Sequence, residues 1–234
     1  MRLDKLLCEC GKASRSEAGK LIRLGKVSVN GVVVKKADFK VDEYSDKITL
    51  DGSEVCYKKF TYIMLNKPEG YVSATLDPNE KTVLDLVSDE DRKKGLFPCG
   101  RLDKGTLGLV ILTNDGDGAH FVLSPKHHVK KVYRFECISP LSNDDVDALE
   151  RGVDIGGYFT KPCVVDMEEA QRGTITLTEG KYHQIKRMLE AVNNKITYLE
   201  RISFGDILLD PSLERGQWRY LTSDEEKIFL KTGK

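Results

Sequence analysis

Short runs of β-branched, aromatic and other apolar residues recur along most of this chain and restrict how it can fold. Examples occupy residues 61–65, 109–112, 132–137 and 174–178. Turn signals and stretches long enough for a helix separate these runs, and no regular strand-helix-strand repeat connects them. The pattern therefore predicts an α+β fold whose sheet is mainly antiparallel.

The first forty residues predict a small module of two helices and a hairpin. Leucines recur there at helical spacing from the beginning of the chain. Ser14-Arg15-Ser16-Glu17 is a capping box, so a second helix is expected over residues 15–24. The apolar runs 27–29 and 32–34 then flank Asn30-Gly31, a dipeptide that favours a tight hairpin turn.

Charge is distributed unevenly, although the whole chain has 37 basic and 37 acidic residues. Residues 1–40 carry ten basic and four acidic side chains, so the rest of the chain is acidic by the same margin. A small basic module joined to a more acidic body indicates that the module contacts nucleic acid. The candidates for this contact are Arg2, Lys5, Arg15, Lys20, Arg23 and Lys26. A basic helical hairpin that only solvates one face is the structural alternative.

An acidic connector with alternating apolar residues follows the basic module, over residues 42–60. We place the domain boundary near residue 58. The chain is thereby divided into a small domain of residues 1–58 and a large domain of residues 59–234.

Composition excludes several other classes of protein. No segment approaches the roughly 20 apolar residues of a membrane helix, and charges near the N-terminus do not fit a signal peptide. We therefore expect a cytoplasmic protein without membrane contact, whose six scattered cysteines are reduced thiols. The histidines and cysteines lack metal-ligand spacing, so no metal site is expected. Residues 114–118 have the acidic pattern of a calcium loop without its later glutamate, and we expect them to open a helix.

Three motifs of the large domain place reactive side chains next to turns. They are Asn66-Lys67-Pro68-Glu69-Gly70, Gly100-Arg101-Leu102-Asp103-Lys104-Gly105-Thr106-Leu107-Gly108 and Gly180-Lys181-Tyr182-His183-Gln184-Ile185-Lys186-Arg187-Met188. Taken alone, Lys67 is a solvated lysine at a turn, and Asp103 is a turn aspartate. Asp103 between two cations also fits a carboxylate that acts as a nucleophile or a base. The third motif predicts a strand, a turn and a helix with an apolar inner face.

The N-terminal motifs resemble the S4 type of RNA-binding domain, which occurs in ribosomal proteins and in RNA-modifying enzymes. The matching residues are Arg2-Leu3-Asp4-Lys5, Ser14-Arg15-Ser16-Glu17-Ala18, Leu21-Ile22 and Gly25-Lys26-Val27-Ser28-Val29-Asn30-Gly31. The resemblance implies a small S4-like domain of the α-L type that binds RNA through its basic side chains.

The motifs of the large domain, taken in order, resemble the pseudouridine synthases of rRNA and tRNA, and specifically the RsuA type with an N-terminal S4 domain. The resemblance also includes Ser124-Pro125-Lys126-His127-His128, Lys131, Tyr133 and the tail Gly216-Gln217-Trp218-Arg219-Tyr220-Leu221-Thr222. The Lys126-His127-His128 and Phe159-Thr160-Lys161-Pro162 segments resemble the subgroup that acts on small-subunit rRNA.

This resemblance implies that uridine is isomerised to pseudouridine without a cofactor. The N1–C1′ bond breaks, and the uracil is rejoined to the sugar through C5. Asp103 matches the family's nucleophile. Tyr133 matches the residue that stacks on the target base and is also a candidate for assisting proton transfer, and Lys186 matches the basic partner of the carboxylate. Two routes stay open, attack of Asp103 at C1′ and a route through a glycal. Because Arg187 is next to Lys186, it also stays open which of the two cations pairs with Asp103.

The resemblance also implies that the target uridine is flipped out of its stack to reach Asp103. The side chains expected to contact RNA beside it are Lys67, Arg101, Lys126, Lys131 and Arg187. The expected partner is rRNA, and specifically 16S rRNA, either free or in an assembly intermediate of the ribosome. The chain is expected to be a monomer. Two alternatives stay open: the same chemistry on 23S rRNA or tRNA, and a non-catalytic RNA-binding factor of ribosome assembly.

Overall fold

The computed structural model describes residues 1–43, 45–55, 57 and 59–230, apart from the side chain of residue 230. The chain forms two compact units. Unit 1 comprises Met1–Thr61 and Ser88–Leu96, and unit 2 comprises Tyr62–Val87 and the chain from Phe97 onward. The predicted boundary at residue 58 lies outside the described residues. The segment Ser88–Leu96 interrupts the continuous large domain that the sequence analysis expected.

Unit 1 contains three helices and a small sheet within the described residues. The helices are α1 (Leu3–Glu9), α2 (Arg15–Arg23) and α3 (Asp89–Arg92), and the strands are β1 (Val27–Val29), β2 (Val32–Val33), β3 (Ile48–Leu50) and β4 (Ser53–Glu54). The strands pair antiparallel in the order β2-β1-β3-β4. Apolar side chains of α1, α2, β1 and β3 share one core.

The local signals at the N-terminus form the structures that were predicted. The Glu17 N–H donates to Ser14 Oγ at 3.3 Å, and the Glu17 carboxylate accepts from the Ser14 N–H at 2.9 Å. Asn30 and Gly31 have φ values of 52° and 81°, as a tight turn between β1 and β2 requires. The predicted module of two helices and a hairpin is therefore confirmed.

Unit 2 combines a large sheet with several helices. Its strands are β5 (Tyr62–Lys67), β6 (Phe97–Cys99), β7 (Leu107–Thr113), β8 (Lys131–Cys137), β9 (Val164–Glu169), β10 (Arg172–Leu177), β11 (Ile196–Phe204), β12 (Ile207–Leu208) and β13 (Trp218–Tyr220). Its helices are α4 (Gly116–Leu123), α5 (Asn143–Arg151), α6 (Gln184–Ala191) and α7 (Ser223–Leu230), with 3-10 turns at Val83–Leu86 and Pro125–His127. Asp115 accepts from the Gly118 N–H at 3.0 Å, so residues 114–118 open a helix as predicted.

The large sheet runs β13-β5-β7-β11-β8-β10-β9, with β6 beside β7 and β12 beside β11. Most neighbours pair antiparallel, whereas β7 and β11 pair parallel. β5 is buried along its whole length and β7 along nearly all of it, so this pair forms the centre of the core. The predicted strand runs correspond to β5, β7, β8 and β10, and the α+β fold with a mainly antiparallel sheet is confirmed.

The parallel pair brings β7 very close to β11 at Gly108. This glycine has a φ of +94°, and a Cβ there would lie 2.3 Å from the carbonyl oxygen of Arg201. No side chain fits at that distance, so the absence of a Cβ at Gly108 permits the approach of the two strands. β7 follows the loop that carries Asp103, and β11 carries Arg201.

Four of the described cysteines are free thiols. Cys8, Cys99, Cys137 and Cys163 form no disulfide, and Cys56 lies outside the described residues. Burial raises the pKa of Cys99 and of Cys163 to about 12, which disfavours a reactive thiolate at either position. None of the helices that the structure describes is long and apolar enough to cross a membrane.

Candidate active site

The loop between β6 and β7 carries Asp103, and its backbone is anchored on both sides of this residue. The Leu102 N–H donates to Ser73 Oγ at 3.0 Å, and the Ser73 hydroxyl donates to the Leu102 carbonyl at 2.9 Å. The Thr106 N–H donates to the Asp103 carbonyl at 3.0 Å and closes a turn. These bonds hold the Asp103 backbone in one position.

Lys67, at the end of β5, is buried and holds the same loop. Its ammonium donates to the carbonyl oxygens of Pro68, Lys104 and Thr106 at 3.0, 3.1 and 2.8 Å. Burial lowers the pKa of Lys67 to about 8. The predictions that Lys67 is solvated at a turn and that it contacts RNA are wrong, because the ammonium is enclosed and occupied by three carbonyls.

Two basic side chains at the beginning of α6 face the Asp103 carboxylate. Lys186 Nζ lies 3.4 Å from Oδ2, and His183 Nε2 lies 3.5 Å from Oδ1. The Arg187 guanidinium lies beside Gly156 instead, so the cation brought to Asp103 is Lys186. The Asp103 side chain keeps 28% of its area exposed, so a substrate can reach it from solvent.

Glu179 fixes the turn that precedes α6. Its buried carboxylate accepts from the Tyr158 hydroxyl at 2.6 Å, from Gln184 Nε2 at 2.8 Å and from the Lys161 N–H at 3.0 Å. Burial by itself would raise the pKa of Glu179, but these hydrogen bonds outweigh it, and the pKa lies below its ordinary value. A charged carboxylate therefore ties the turn to the segment around residue 160. This turn therefore positions the basic side chains that face Asp103.

A cavity of about 630 Å³ is lined by the Asp103 loop, by the beginning of α6 and by the sheet. Lys131, Tyr133 and Arg201 line it from β8 and β11, where Tyr133 and Arg201 are cross-strand neighbours. Burial, followed by the charge of Arg201, lowers the pKa of Lys131 to about 8. The predicted catalytic residues Asp103, Tyr133 and Lys186 are thus brought to one cavity.

The remaining predicted RNA-binding residues fall into two groups. In unit 2, Arg101 is exposed and lines the cavity, whereas Lys126 is exposed and does not line it. Lys131 is buried, so it is available only to a group that enters the cavity. In unit 1 the predicted side chains are all exposed, namely Arg2, Lys5, Arg15, Lys20, Arg23 and Lys26. Arg2, Lys5 and Lys26 form ion pairs with Asp4, Glu9 and Asp51.

Three side chains of the cavity were missed by sequence reasoning: Glu179, His183 and Arg201. His183 lies inside a motif that was singled out, where it adopts a left-handed φ of 52° and stacks on Tyr182. Arg201 lies in a strand beside another charged residue, Glu200, and nothing in the sequence indicates that the arginine is buried. Nothing in the sequence indicates that Glu179 is buried.

The fold and the cavity agree with comparisons against known families. The chain belongs to the RNA pseudouridylate synthase family, whose model matches residues 61–191, and its N-terminus matches the S4 domain over residues 1–45. The protein is therefore a pseudouridine synthase, an isomerase, with an S4 RNA-binding domain. Both resemblances drawn from the motifs are confirmed.

Several relatives match along nearly the whole chain. The RNA pseudouridine synthase YtzG of Bacillus subtilis strain 168 is 45% identical over 230 residues, which is 96% of each chain. The ribosomal small subunit pseudouridine synthase A of Escherichia coli K12 is 40% identical over 228 residues, with 96% of this chain and 98% of that one covered. A crystal structure of a pseudouridylate synthase superposes with a TM-score of 0.69 at 34% identity, covering 98% of this chain and 99% of that one.

Proposed function

We propose that this protein converts one uridine of ribosomal RNA, in the 16S rRNA of the small subunit, to pseudouridine. The observation that carries the proposal is a partly exposed Asp103 within 3.5 Å of both Lys186 and His183, at a cavity large enough for a nucleotide. The relatives named ribosomal small subunit pseudouridine synthase A support the choice of 16S rRNA. The protein acts in the cytoplasm as a monomer, on free rRNA or on an assembly intermediate.

Asp103 is the nucleophile in this proposal. Its carboxylate attacks C1′ of the uridine, or assists formation of a glycal, so that one difficult step becomes two easier ones. Lys186 and His183 contact its two oxygens and orient them toward the sugar. The base then turns and is rejoined to C1′ through C5. The atoms of the product are those of the substrate, so the reaction needs no group donor.

The target uridine is flipped out of its stack before it meets Asp103. Flipping costs roughly 3 kcal/mol, and stacking of the flipped base on the protein and contacts to the RNA backbone offset this cost. Tyr133, on the sheet side of the cavity, provides a ring for the flipped base, and the exposed Arg101 is available to a phosphate beside it. The S4 domain holds the rRNA through the exposed cations of α1 and α2.

The test is to map pseudouridines in total rRNA and tRNA by carbodiimide modification and primer extension. The RNA comes from cells that lack this gene and carry either the wild-type gene, the Asp103→Asn variant or an empty vector. We expect one 16S rRNA site to disappear without the gene and to return only with the wild-type protein. A site that returns with Asp103→Asn contradicts the role of Asp103.

A lost site in 23S rRNA or tRNA instead contradicts the choice of substrate and leaves the chemistry intact. An unchanged map in all samples contradicts the activity on these RNAs and favours a binding factor of ribosome assembly. Purified protein with a 16S rRNA transcript, and separately with isolated 30S particles, then shows which form of the substrate is modified.

A further inference from the structure

Arg201 is a fully buried cation with part of its hydrogen-bonding capacity unused. Its side chain is 1% exposed, and Nε donates to the Leu109 carbonyl at 2.8 Å. Nη2 is buried and has no hydrogen-bond partner in the protein. The guanidinium lies 5.4 Å from the centre of the Phe204 ring, and the residue lines the active-site cavity. A buried donor without an acceptor is costly, so its position calls for an explanation.

The surroundings of Arg201 are positive rather than neutral. Lys131 Nζ lies 5.4 Å from the centre of the same Phe204 ring and donates to the Val129 carbonyl at 3.0 Å. Among the described residues, neither cation forms an ion pair with a carboxylate. Two buried cations without a counter-charge disfavour the empty cavity and favour a group with negative charge or a strong acceptor.

A second buried polar atom of the cavity is also unpartnered. Thr106 Oγ1 has no hydrogen-bond partner, and its side chain is 2% exposed at the end of the Asp103 loop. Thr106 and Arg201 thus contribute unsatisfied polar atoms to the same cavity from two neighbouring strands or their ends. This agreement indicates that the inner wall of the cavity is built to meet polar atoms of the substrate.

The connectivity of a nucleotide decides which part of it meets Arg201. Asp103, His183 and Lys186 are partly exposed, whereas Lys131, Tyr133 and Arg201 are buried. A flipped nucleotide remains joined to the RNA through its phosphates, so these stay near the exposed side and the base goes deepest. C1′ lies between the base and the phosphates, where Asp103 has to reach it. The buried cations therefore face the uracil ring.

We propose that Arg201 donates from Nη2 to a carbonyl oxygen of the flipped uracil and, with Lys131 beside it, stabilises the negative charge on this base when its bond to the sugar breaks. The inference rests on the proposed function and goes beyond it. It assigns Arg201 as a catalytic residue that contacts the leaving base, whereas Asp103 and Lys186 act at the sugar.

The charges balance through the whole reaction. When N1–C1′ breaks, its electron pair stays on N1, and the uracil becomes an anion whose charge spreads onto its carbonyl oxygens. C1′ bonds to the Asp103 carboxylate, or a C2′ proton is lost to form a glycal. C5 of the base later bonds to C1′. On the first route the ester to Asp103 breaks in this step, and on the glycal route the proton is returned to C2′. C5 then loses its proton, and N1 gains one. Arg201 keeps its protons throughout and contributes fixed donors of the kind that stabilise developing charge.

The test compares Arg201→Met, Arg201→Lys and the matched control Arg134→Met. Arg134 follows Tyr133, the cross-strand neighbour of Arg201, on β8 and is exposed outside the cavity, so the control removes a nearby arginine from the same strand pair. The substrate is a 16S rRNA transcript labelled with tritium at C5 of uridine, whose release reports the loss of the C5 proton. Single-turnover rates at saturating enzyme, the Kd at two salt concentrations and the Tm are measured for each variant.

We expect Arg201→Met to lower the saturated rate by about 100-fold with a nearly unchanged Kd. Arg201→Lys keeps the charge, so its saturated rate falls less, and Arg134→Met retains the wild-type rate. An Arg201→Met rate equal to that of the wild type overturns the inference. A higher Kd with a shallower salt dependence, at an unchanged saturated rate, also overturns it. That result would mean that Arg201 contacts a phosphate.

Folding defects are separated by the Tm and by a chemical rescue. Should Arg201→Met unfold, Arg201→Ala is assayed with millimolar guanidinium chloride and, as control, with equal sodium chloride. Restoration of the rate by guanidinium alone supports the inference, and no restoration in a variant with a wild-type Tm contradicts it. A wild-type protein that releases no tritium contradicts the proposed function itself, which is a different outcome from any of these.

Discussion

Unit 1 and the cavity of unit 2 use positive charge in opposite ways. The cations of α1 and α2 are exposed on helical surfaces, and some of them form ion pairs with neighbouring acidic side chains. Lys67, Lys131 and Arg201 in unit 2 are buried, donate to backbone carbonyls and surround the site of Asp103. Exposed cations bind a polyanion through many weak and salt-sensitive contacts, whereas buried cations act at fixed positions on particular atoms.

The number of basic residues in a region therefore does not indicate what they do. In our proposal the exposed cations are interchangeable to a first approximation, because each one that contacts RNA mainly releases counterions. The buried ones are not interchangeable, since each is held by its own carbonyl acceptors. Substitutions of buried and of exposed cations should therefore have different effects on rate, stability and RNA binding.

The largest effect is expected from Asp103→Asn. The amide keeps the size of the side chain but loses the carboxylate that we propose as the nucleophile, so we expect turnover on rRNA to fall by about four orders of magnitude. The Kd for rRNA stays within about twofold, because Asp103 is not a phosphate contact. Quantitative pseudouridine mapping gives the rate, and filter binding gives the Kd. Turnover within tenfold of the wild type contradicts the assignment.

Lys67→Met tests whether a buried lysine acts through the fold. The variant leaves the carbonyls of Pro68, Lys104 and Thr106 without their donor, so we expect the free energy of unfolding to fall by about 3 kcal/mol. Urea denaturation followed by circular dichroism measures this change. Lys126→Met serves as a control, because Lys126 is exposed and lies outside the cavity. Equal effects of the two substitutions show that burial of Lys67 has no energetic consequence.

Lys186→Met is expected to lower the saturated rate by about 100-fold, since the carboxylate of Asp103 loses a positive group 3.4 Å away. Lys186→Arg keeps the charge and recovers part of the rate. Arg187→Met is the matched control, because the adjacent cation lies beside Gly156 and not beside Asp103. A larger loss in Arg187→Met than in Lys186→Met reverses the pairing between α6 and Asp103.

The smallest effect is expected in the S4 domain. Lys20→Gln combined with Arg23→Gln removes two exposed cations of α2, which form no ion pair within the described chain. We expect about tenfold weaker rRNA binding at physiological salt and a salt slope reduced by about 1.5, with an unchanged saturated rate. Lys47→Gln, which removes an exposed lysine paired with Glu54 in β4, is the control. A changed saturated rate shows that these cations contribute to the chemistry.

Sequence reasoning predicted the features that depend on neighbouring residues. The capping box at Ser14, the Asn30-Gly31 turn and the helix opened by Asp115 all follow from side chains within a few positions of one another. Asp103, Tyr133 and Lys186 came from motifs that resemble a family, and they do line one cavity.

The features that were missed depend on packing between distant segments. Lys67 is buried because residues 104 and 106 close over it, and a turn motif contains no information about that contact. Lys186 and Arg187 are equivalent by charge, and only the direction of α6 brings the first to Asp103. Arg201 follows the Asp103 loop by almost a hundred residues and meets it through the parallel pairing of β7 with β11.

Gly108 sets a limit on how this enzyme can be changed by laboratory evolution. An added methyl group there would push β7 away from β11 and shift Asp103 relative to Arg201, although neither side chain has been replaced. In a library selected for pseudouridine formation, position 108 therefore tolerates fewer substitutions than the exposed basic positions of α2. The alignment of the two strands thus constrains future variants, although it involves no side chain of the active site.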